Sequence, residues 1–304
     1  MAAELQAVLA ALAPRLGTPG GDPAPLDGGI TNRNFRVPFD GRECVVRLPG
    51  PGTDLLGIDR DTERAATAAA AAAGIGPDVV AHLPEPACLV TGFIAGTVLE
   101  PEAVREPGVL EEVAGGLRAF HAGPPLSTRF DAFETAERYA EIVRARGGAL
   151  FAGHAELARR VGAIRAAMAG PEHAPVPCHN DLLPANLIHD GTRVRIVDWE
   201  YAGTGDRYFD FGNLSVNCGF AEDDDARLLA AYWEEPCTPR RFAAVRLMRI
   251  VSDFREAMWG AVQAVVSELA FDFAAYAEEH AERVRAALGD ARVERWLRDA
   301  RGAP

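Results

Sequence analysis

The 304-residue chain contains no lysine; all 31 of its basic residues are arginine. That absence excludes a lysine-bearing P-loop, a Schiff-base site for pyridoxal phosphate and a lysine general base. Any phosphate contact that lysine would make falls to an arginine. Positive charge as a whole is scarce, with a net charge of −13 and a pI near 5.0. Nucleic-acid binders draw much of their affinity from a basic face that releases counterions, so no nucleic-acid partner is expected. An acidic field favours a cationic partner where it acts at all, and otherwise serves solubility. Cysteine is sparse too. Cys44, Cys88, Cys178, Cys218 and Cys237 form no close pair and no metal-ligand spacing, which predicts reduced thiols, buried where Cys44 and Cys178 sit in apolar runs. No stretch approaches the ~20 apolar residues of a membrane span. The opening MAAELQAVLAALAPRLG has no basic leader and carries Glu4 inside its apolar part, so it reads as an amphipathic helix. The expected setting is the cytoplasm, with no membrane partner.

What is present describes a globular protein, 48% hydrophobic and 25% charged. After the first helix, two β-patterned runs, Asn34–Val37 and Glu43–Leu48, flank Asp40-Gly41, a hairpin signal. Asp59 or Asp61 caps a helix running to about Ala73, rich in alanine, the strongest helix former. Two more β-like runs follow near Val79–Leu83 and Leu89–Ile94. Beyond the glycine-bearing linker at 92–97, helical patterns occupy about 109–121, 134–146 and 154–169, then 210–218, 223–234, 239–267, 272–288 and 291–301. Between these two groups lies a second hairpin, Asn186–His189 and Arg193–Asp198 around Asp190-Gly191. The fold class is therefore α+β, with a small β-rich lobe over residues 1–94 and a larger, mainly helical lobe over 95–304 that carries the hairpin.

Chemistry concentrates in CHNDLLPANLIHDGTRVRIVDWEYAG, residues 178–203. His179-x-Asp181, Asn186 five positions on and the strand-ending Asp198 follow the spacing of a kinase catalytic loop and its metal-binding aspartate. Phosphoryl transfer needs a carboxylate to orient the attacking hydroxyl and take its proton. It also needs hard oxygen ligands to hold Mg²⁺ on the nucleotide phosphates. An antiparallel hairpin brings Asn186 and Asp198 to the same end of one ribbon. Singly, each residue reads equally as a turn or structural residue; the three at this spacing point to a kinase. Earlier, LDGGITNRNFRV offers Gly28 and Gly29 for close backbone approach to phosphate, with Thr31 and Asn32 as side-chain partners. Alone it reads as a Gly-Gly turn before a hairpin, but it precedes a strand carrying a cation, Arg47. Glu63, on the following helix, is the natural partner of that cation.

GGITNRNFRV, VVRLPGPGT, HNDLLPANL, and VDWEYAG with DRYFDFGN resemble the choline/ethanolamine kinase family, within the aminoglycoside-phosphotransferase-like superfamily. The likeness runs from about Asp27 to Tyr276. It implies a bilobal protein-kinase-like fold that binds ATP between its lobes, with Mg²⁺ as cofactor and a small-molecule alcohol as acceptor. It further implies Asp181 as catalytic base, Asn186 and Asp198 as metal ligands and Glu200 as a second-metal residue. Arg47 would pair with Glu63, adenine would meet the backbone at Gly92, Phe93 and Ile94, and Asp210 would support the catalytic loop. A quaternary ammonium needs an aromatic cage, since it cannot donate hydrogen bonds. Tyr201 and Trp259 are the candidates, although Trp259 reads equally as helix core. Here the sequence departs from the eukaryotic choline kinases. Val262 stands where they have a second tryptophan and Asn217 where they have an acidic residue, with Asp253 and Glu256 as carboxylates able to compensate. Competing readings are an aminoglycoside, sugar or other small-alcohol phosphotransferase, a kinase-like nucleotide-binding protein without turnover, and, more distantly, a metal-dependent hydrolase. A homodimer is left open.

Overall fold

The computed structural model describes residues 2–26 and 31–301. Helix α1 (Ala2–Leu16) repeats apolar residues at helical spacing, and Leu5, Val8, Leu9 and Leu12 are all buried. They cover one face of an antiparallel sheet. Its first strands are β1 (Ala24–Leu26), β2 (Asn32–Phe39) and β3 (Arg42–Pro49). Asp40 and Gly41, at φ 47° and 80°, make the β2–β3 turn with the paired positive φ that a tight hairpin requires. The two-residue period of β3 sends Cys44, Val46 and Leu48 into the core beneath α1, and Val45 and Arg47 to the opposite face. Helix α2 (Arg60–Ala72) lies beside the sheet. Asp59, rather than Asp61, caps it, accepting the Thr62 N–H at 2.7 Å. The alanine run is a packing face: Ala66 and Ala70 are wholly buried. Strands β4 (Val79–Pro84) and β5 (Ala87–Gly92) complete the sheet, in the order β1-β2-β3-β5-β4.

Past β5 the chain makes β6 (Thr97–Val98), then α3 (Pro101–Val104), α4 (Val109–His121), α5 (Ala132–Ala145) and α6 (His154–Ala167). Four short strands follow: β7 (Val176–Cys178), β8 (Leu187–His189), β9 (Val194–Ile196) and β10 (Gly203–Gly205). The rest is helical: α7 (Arg207–Asn217), α8 (Glu222–Trp233), α9 (Pro239–Val266), α10 (Phe273–Leu288) and α11 (Val293–Arg301). Helix α9 is the axle of this half. Every residue from Ile250 to Gln263 is buried, because α5, α7, α10 and α11 surround it.

Two helices begin earlier than their apolar period predicts, because aspartates cap them. Asp131 accepts from Phe133 and Glu134 N–H ahead of α5, and Asp206 from Tyr208 N–H ahead of α7. The short strands β1, β6, β7 and β10 and the single-turn α3 carry too few residues for a periodic signal, and long-range pairing alone defines the strands. Of these, β6 positions the site. It pairs with β8, tying the linker to the β8–β9 hairpin, and a Cβ at Gly96 would come within 2.4 Å of the His189 carbonyl oxygen. Cys44, Cys88, Cys178 and Cys218 are buried free thiols, and Cys237 is half-buried. Among the described residues, no helix is long and apolar enough to cross a membrane.

Candidate active site

The segment between β7 and β8 is fastened from beneath before any of its side chains faces the cleft. Asp210, on α7 and wholly buried, accepts the backbone N–H groups of His179 at 2.9 Å and Asn180 at 2.7 Å, and it meets His121 Nε2 at 3.0 Å. Asn213, one turn later on α7, accepts the Leu182 N–H and donates to Ser252 at 3.0 Å. His179 is wholly buried and neutral, burial holding its pKa below the ordinary value. Its Nδ1 accepts the Asp181 N–H at 3.1 Å, so the ring proton sits on Nε2 and is donated to the Val197 carbonyl at 2.9 Å. Asn180 adopts the left-handed region at φ 67°, unusual for a residue other than glycine, and its amide donates to the Tyr201 carbonyl at 3.0 Å. These anchors fix where Asp181 projects. Burial pushes the Asp181 carboxyl up to about 7, against the lowering pull of the Arg255 guanidinium beside it.

The β8–β9 hairpin delivers the other oxygen donors. Asn186 Nδ2 donates to the Asp181 carbonyl at 2.9 Å, and Asn186 lines the cleft. Its own carbonyl accepts the Val197 N–H at 3.0 Å, so Asn186 and Asp198 lie at one end of the ribbon. Asp198 is also left-handed, at φ 66°. Asn186 and Asp198 both line the cleft and offer oxygen donors of the kind a hard divalent cation takes.

Arg47 bridges the two halves. It donates to Glu63 Oε1 at 2.9 Å and also pairs with Asp198. Burial works against its charge, but Asp198 and Glu63 more than offset that and hold its pKa above the usual arginine value. A second arginine extends the network: Arg60 reaches Glu63 Oε2 at 2.7 Å and Glu200 Oε2 at 3.3 Å. Three carboxylates thus share two guanidiniums. Burial, reinforced by Asp198, pushes Glu200 up to about 7, with Arg47 opposing. Thr31 Oγ1 donates to one Glu200 oxygen, and Asn32 Nδ2 donates to the other at 2.7 Å. Thr31 and Asn32, which the sequence offered to a phosphate, are therefore tied to Glu200 instead. Gly29, with Gly28, lies outside the described residues.

A cleft of about 360 Å³ opens between the sheet and the hairpin. Val45, Arg47, Gly92, Phe93, Ile94, Asn186 and Asp198 are among its walls. Phe93 is pinned at its backbone N–H by the Glu43 carbonyl at 2.9 Å and carries Arg36 on its ring face, 4.3 Å from the centroid. The cleft is apolar at its linker end and ionic at its hairpin end, as a base-plus-phosphate ligand requires.

Beyond Asp181 lies an aromatic and acidic group from α9 and α10. Tyr201 OH accepts the Trp259 Nε1–H at 3.0 Å, and Trp259 meets Phe273 and Tyr276 edge-on, at 5.8 and 5.7 Å between centroids. Tyr276 donates to Glu256 Oε2 at 3.0 Å. The two aromatic candidates are thus in contact. Asn217 points elsewhere, bracing the loop that carries Asp181 by donating to the Leu182 carbonyl at 3.4 Å. Asp253 is taken by His280 and Arg283, each at 3.0 Å, so Glu256 is the carboxylate on the aromatic side. Val262 is wholly buried in the core. Reading the sequence missed three residues here: Arg60, Arg255 and Tyr276. Arg255 precedes Glu256 in REAMWG, and its signal was a charge pair one residue from the helix's apolar face. Tyr276 carried none, since only the α9–α10 packing returns it to Trp259.

The phosphotransferase enzyme family model matches residues 22–248. A choline/ethanolamine kinase family protein from Mesorhizobium loti superposes with a TM-score of 0.85 at 30% identity, covering 99% of this chain and 100% of that one. Rat ethanolamine kinase 2 is 29% identical over 279 residues, covering 82% of this chain and 71% of that protein. Choline kinase LicA from Streptococcus pneumoniae has a TM-score of 0.75 at 20% identity, covering 93% of this chain and 98% of the other, a likeness of fold.

Proposed function

Because the chain belongs to the phosphotransferase enzyme family, on its choline/ethanolamine kinase side, we propose that it transfers the γ-phosphoryl group of ATP to the hydroxyl of a small amino alcohol of the choline or ethanolamine type. The observation that carries this reading is the convergence of Asn186 and Asp198 at the ionic end of a cleft whose other end is apolar, with the Asp181 backbone held by Asn186 and its carboxyl within the field of Asp198. Asp181 is the catalytic base. It orients the acceptor hydroxyl and takes its proton as the oxygen attacks phosphorus. The leaving group is ADP. The oxygens of Asn186 and Asp198, with Glu200 behind them, would hold Mg²⁺, which would supply positive charge against the nucleotide phosphates. Arg47 supplies the cation for the α/β-phosphates, kept extended by Glu63. In the state described, Asp198 shares that guanidinium. Nucleotide binding then exchanges one anionic partner of Arg47 for another rather than exposing a bare charge.

The adenine lies against Gly92, Phe93 and Ile94 at the apolar end of the cleft. Tyr201 and Trp259 face the acceptor; Asn217 supports the loop that carries Asp181. Acceptor identity is tested by product analysis after incubation with Mg·ATP and a panel of choline, ethanolamine, aminoglycosides and sugars. Phosphocholine or phosphoethanolamine is expected. Phosphorylation only of an aminoglycoside or of an alcohol without nitrogen overturns the assignment, and nucleotide binding without any product favours the non-catalytic reading.

A further inference from the structure

The acceptor end of the site already contains a cation. Arg255, on α9, is 2% exposed and sits among the groups that would meet the acceptor. Its Nη2 donates to Asp181 Oδ1 at 3.2 Å and to the Asn180 carbonyl at 3.0 Å. Its Nη1 faces Glu256 Oε1 at 2.9 Å. Its guanidinium carbon lies 5.4 Å from the centroid of the Tyr201 ring, within cation–π range. The aromatic residue best placed to receive an ammonium ion is thus already engaged by a charge belonging to the protein.

Resting on the amino-alcohol kinase reading above, we infer that Arg255 and Glu256 set acceptor specificity, selecting a primary ammonium over a quaternary one. A quaternary ammonium spreads its charge over methyl groups and cannot donate a hydrogen bond, so its binding depends on free aromatic faces. Tyr201 has lost one such face to Arg255. The guanidinium also repels any ammonium brought into this desolvated space. Both kinds of ammonium meet that repulsion, but only the primary one offsets it, by donating charge-assisted hydrogen bonds. Glu256 is the acceptor for them. It is bound by Arg255 at one oxygen and by the Tyr276 hydroxyl at the other, and each carboxylate oxygen retains a second lone pair. The phenol and the arginine hold that carboxylate still, which favours a small directional donor over a bulky, diffuse cation.

The test is kcat/KM with Mg·ATP for ethanolamine, N-methylethanolamine, N,N-dimethylethanolamine and choline. A stepwise fall is expected, with choline at least about ten-fold below ethanolamine, the size of one desolvated cation–π contact. The double variant Arg255→Gln/Glu256→Gln, which removes both charges of the pair, is expected to bring the two substrates within about three-fold of each other. The ratio is taken on one preparation, so a reduced folded fraction cancels. If the double variant does not fold, Glu256→Gln, which keeps Arg255 paired with Asp181, is expected to lose the ethanolamine preference by itself. Wild-type enzyme that uses choline as well as or better than ethanolamine overturns the inference and leaves the kinase reading standing. Use of neither amine, with turnover of another alcohol, overturns both. An unchanged ratio in the variants takes the role away from Arg255 and Glu256.

Discussion

At the scale of single residues, the site depends on groups whose surroundings have been removed from water. Asp181→Ala deletes the carboxylate proposed as the catalytic base, and turnover should fall by about 10²- to 10⁴-fold, with the nucleotide dissociation constant within a few-fold of wild type. Steady-state kinetics with calorimetric nucleotide titration separates the two effects, and near-normal turnover removes Asp181 from its role. Asp210 acts one layer down. Replacing it with alanine leaves the buried N–H groups of His179 and Asn180 without an acceptor, at roughly 1–3 kcal/mol each. Asp210→Ala should therefore lower unfolding free energy by at least about 2 kcal/mol in urea titration, and turnover should fall as the loop loses its position. The Asp181/Asn186/Asp198 set was legible in the sequence because its members lie within eighteen positions of each other. So was the Arg47–Glu63 pair, through the elimination of lysine. Arg255 and Tyr276 were not, because their relation to Asp181 and Trp259 exists only after α9 and α10 have packed.

At the scale of elements, the sequence announced its long helices and its two Asp-Gly hairpins and stayed silent about the short ladders. A hairpin is local: the β2–β3 turn states itself in two residues with positive φ. The pairing of β6 with β8 joins residues some ninety positions apart, and two residues carry no periodicity. The glycines divide in the same way. Gly212, in α7, lies against α9 so closely that a Cβ would come within 2.5 Å of the Met248 backbone, whereas Gly162, in α6, has nothing within 4 Å. Gly212→Ala should cost about 1–3 kcal/mol through overpacking. Gly162→Ala should stabilise by roughly 0.5–1 kcal/mol, because alanine loses less backbone entropy in a helix. Paired denaturant melts measure both, and equal effects would show that the α7–α9 contact yields.

For the whole molecule, ligand binding and stability are linked. On the proposed reading, Mg·ATP bound in the cleft would stabilise only the folded state, by about 2.7 kcal/mol at a hundred times its dissociation constant. A rise in melting temperature with Mg·ATP is expected, smaller when the metal is chelated, and smaller again in Arg47→Ala. An equal rise in that variant would separate Arg47 from the nucleotide. Arg47 has a further consequence for anyone wishing to tag this enzyme. Acyl-phosphate nucleotide probes mark kinases by acylating an amine in the cleft, and a guanidinium that is never deprotonated offers no such amine. Those reagents will pass this protein by. Arginine-selective dicarbonyls such as phenylglyoxal should inactivate it, with ATP slowing the loss.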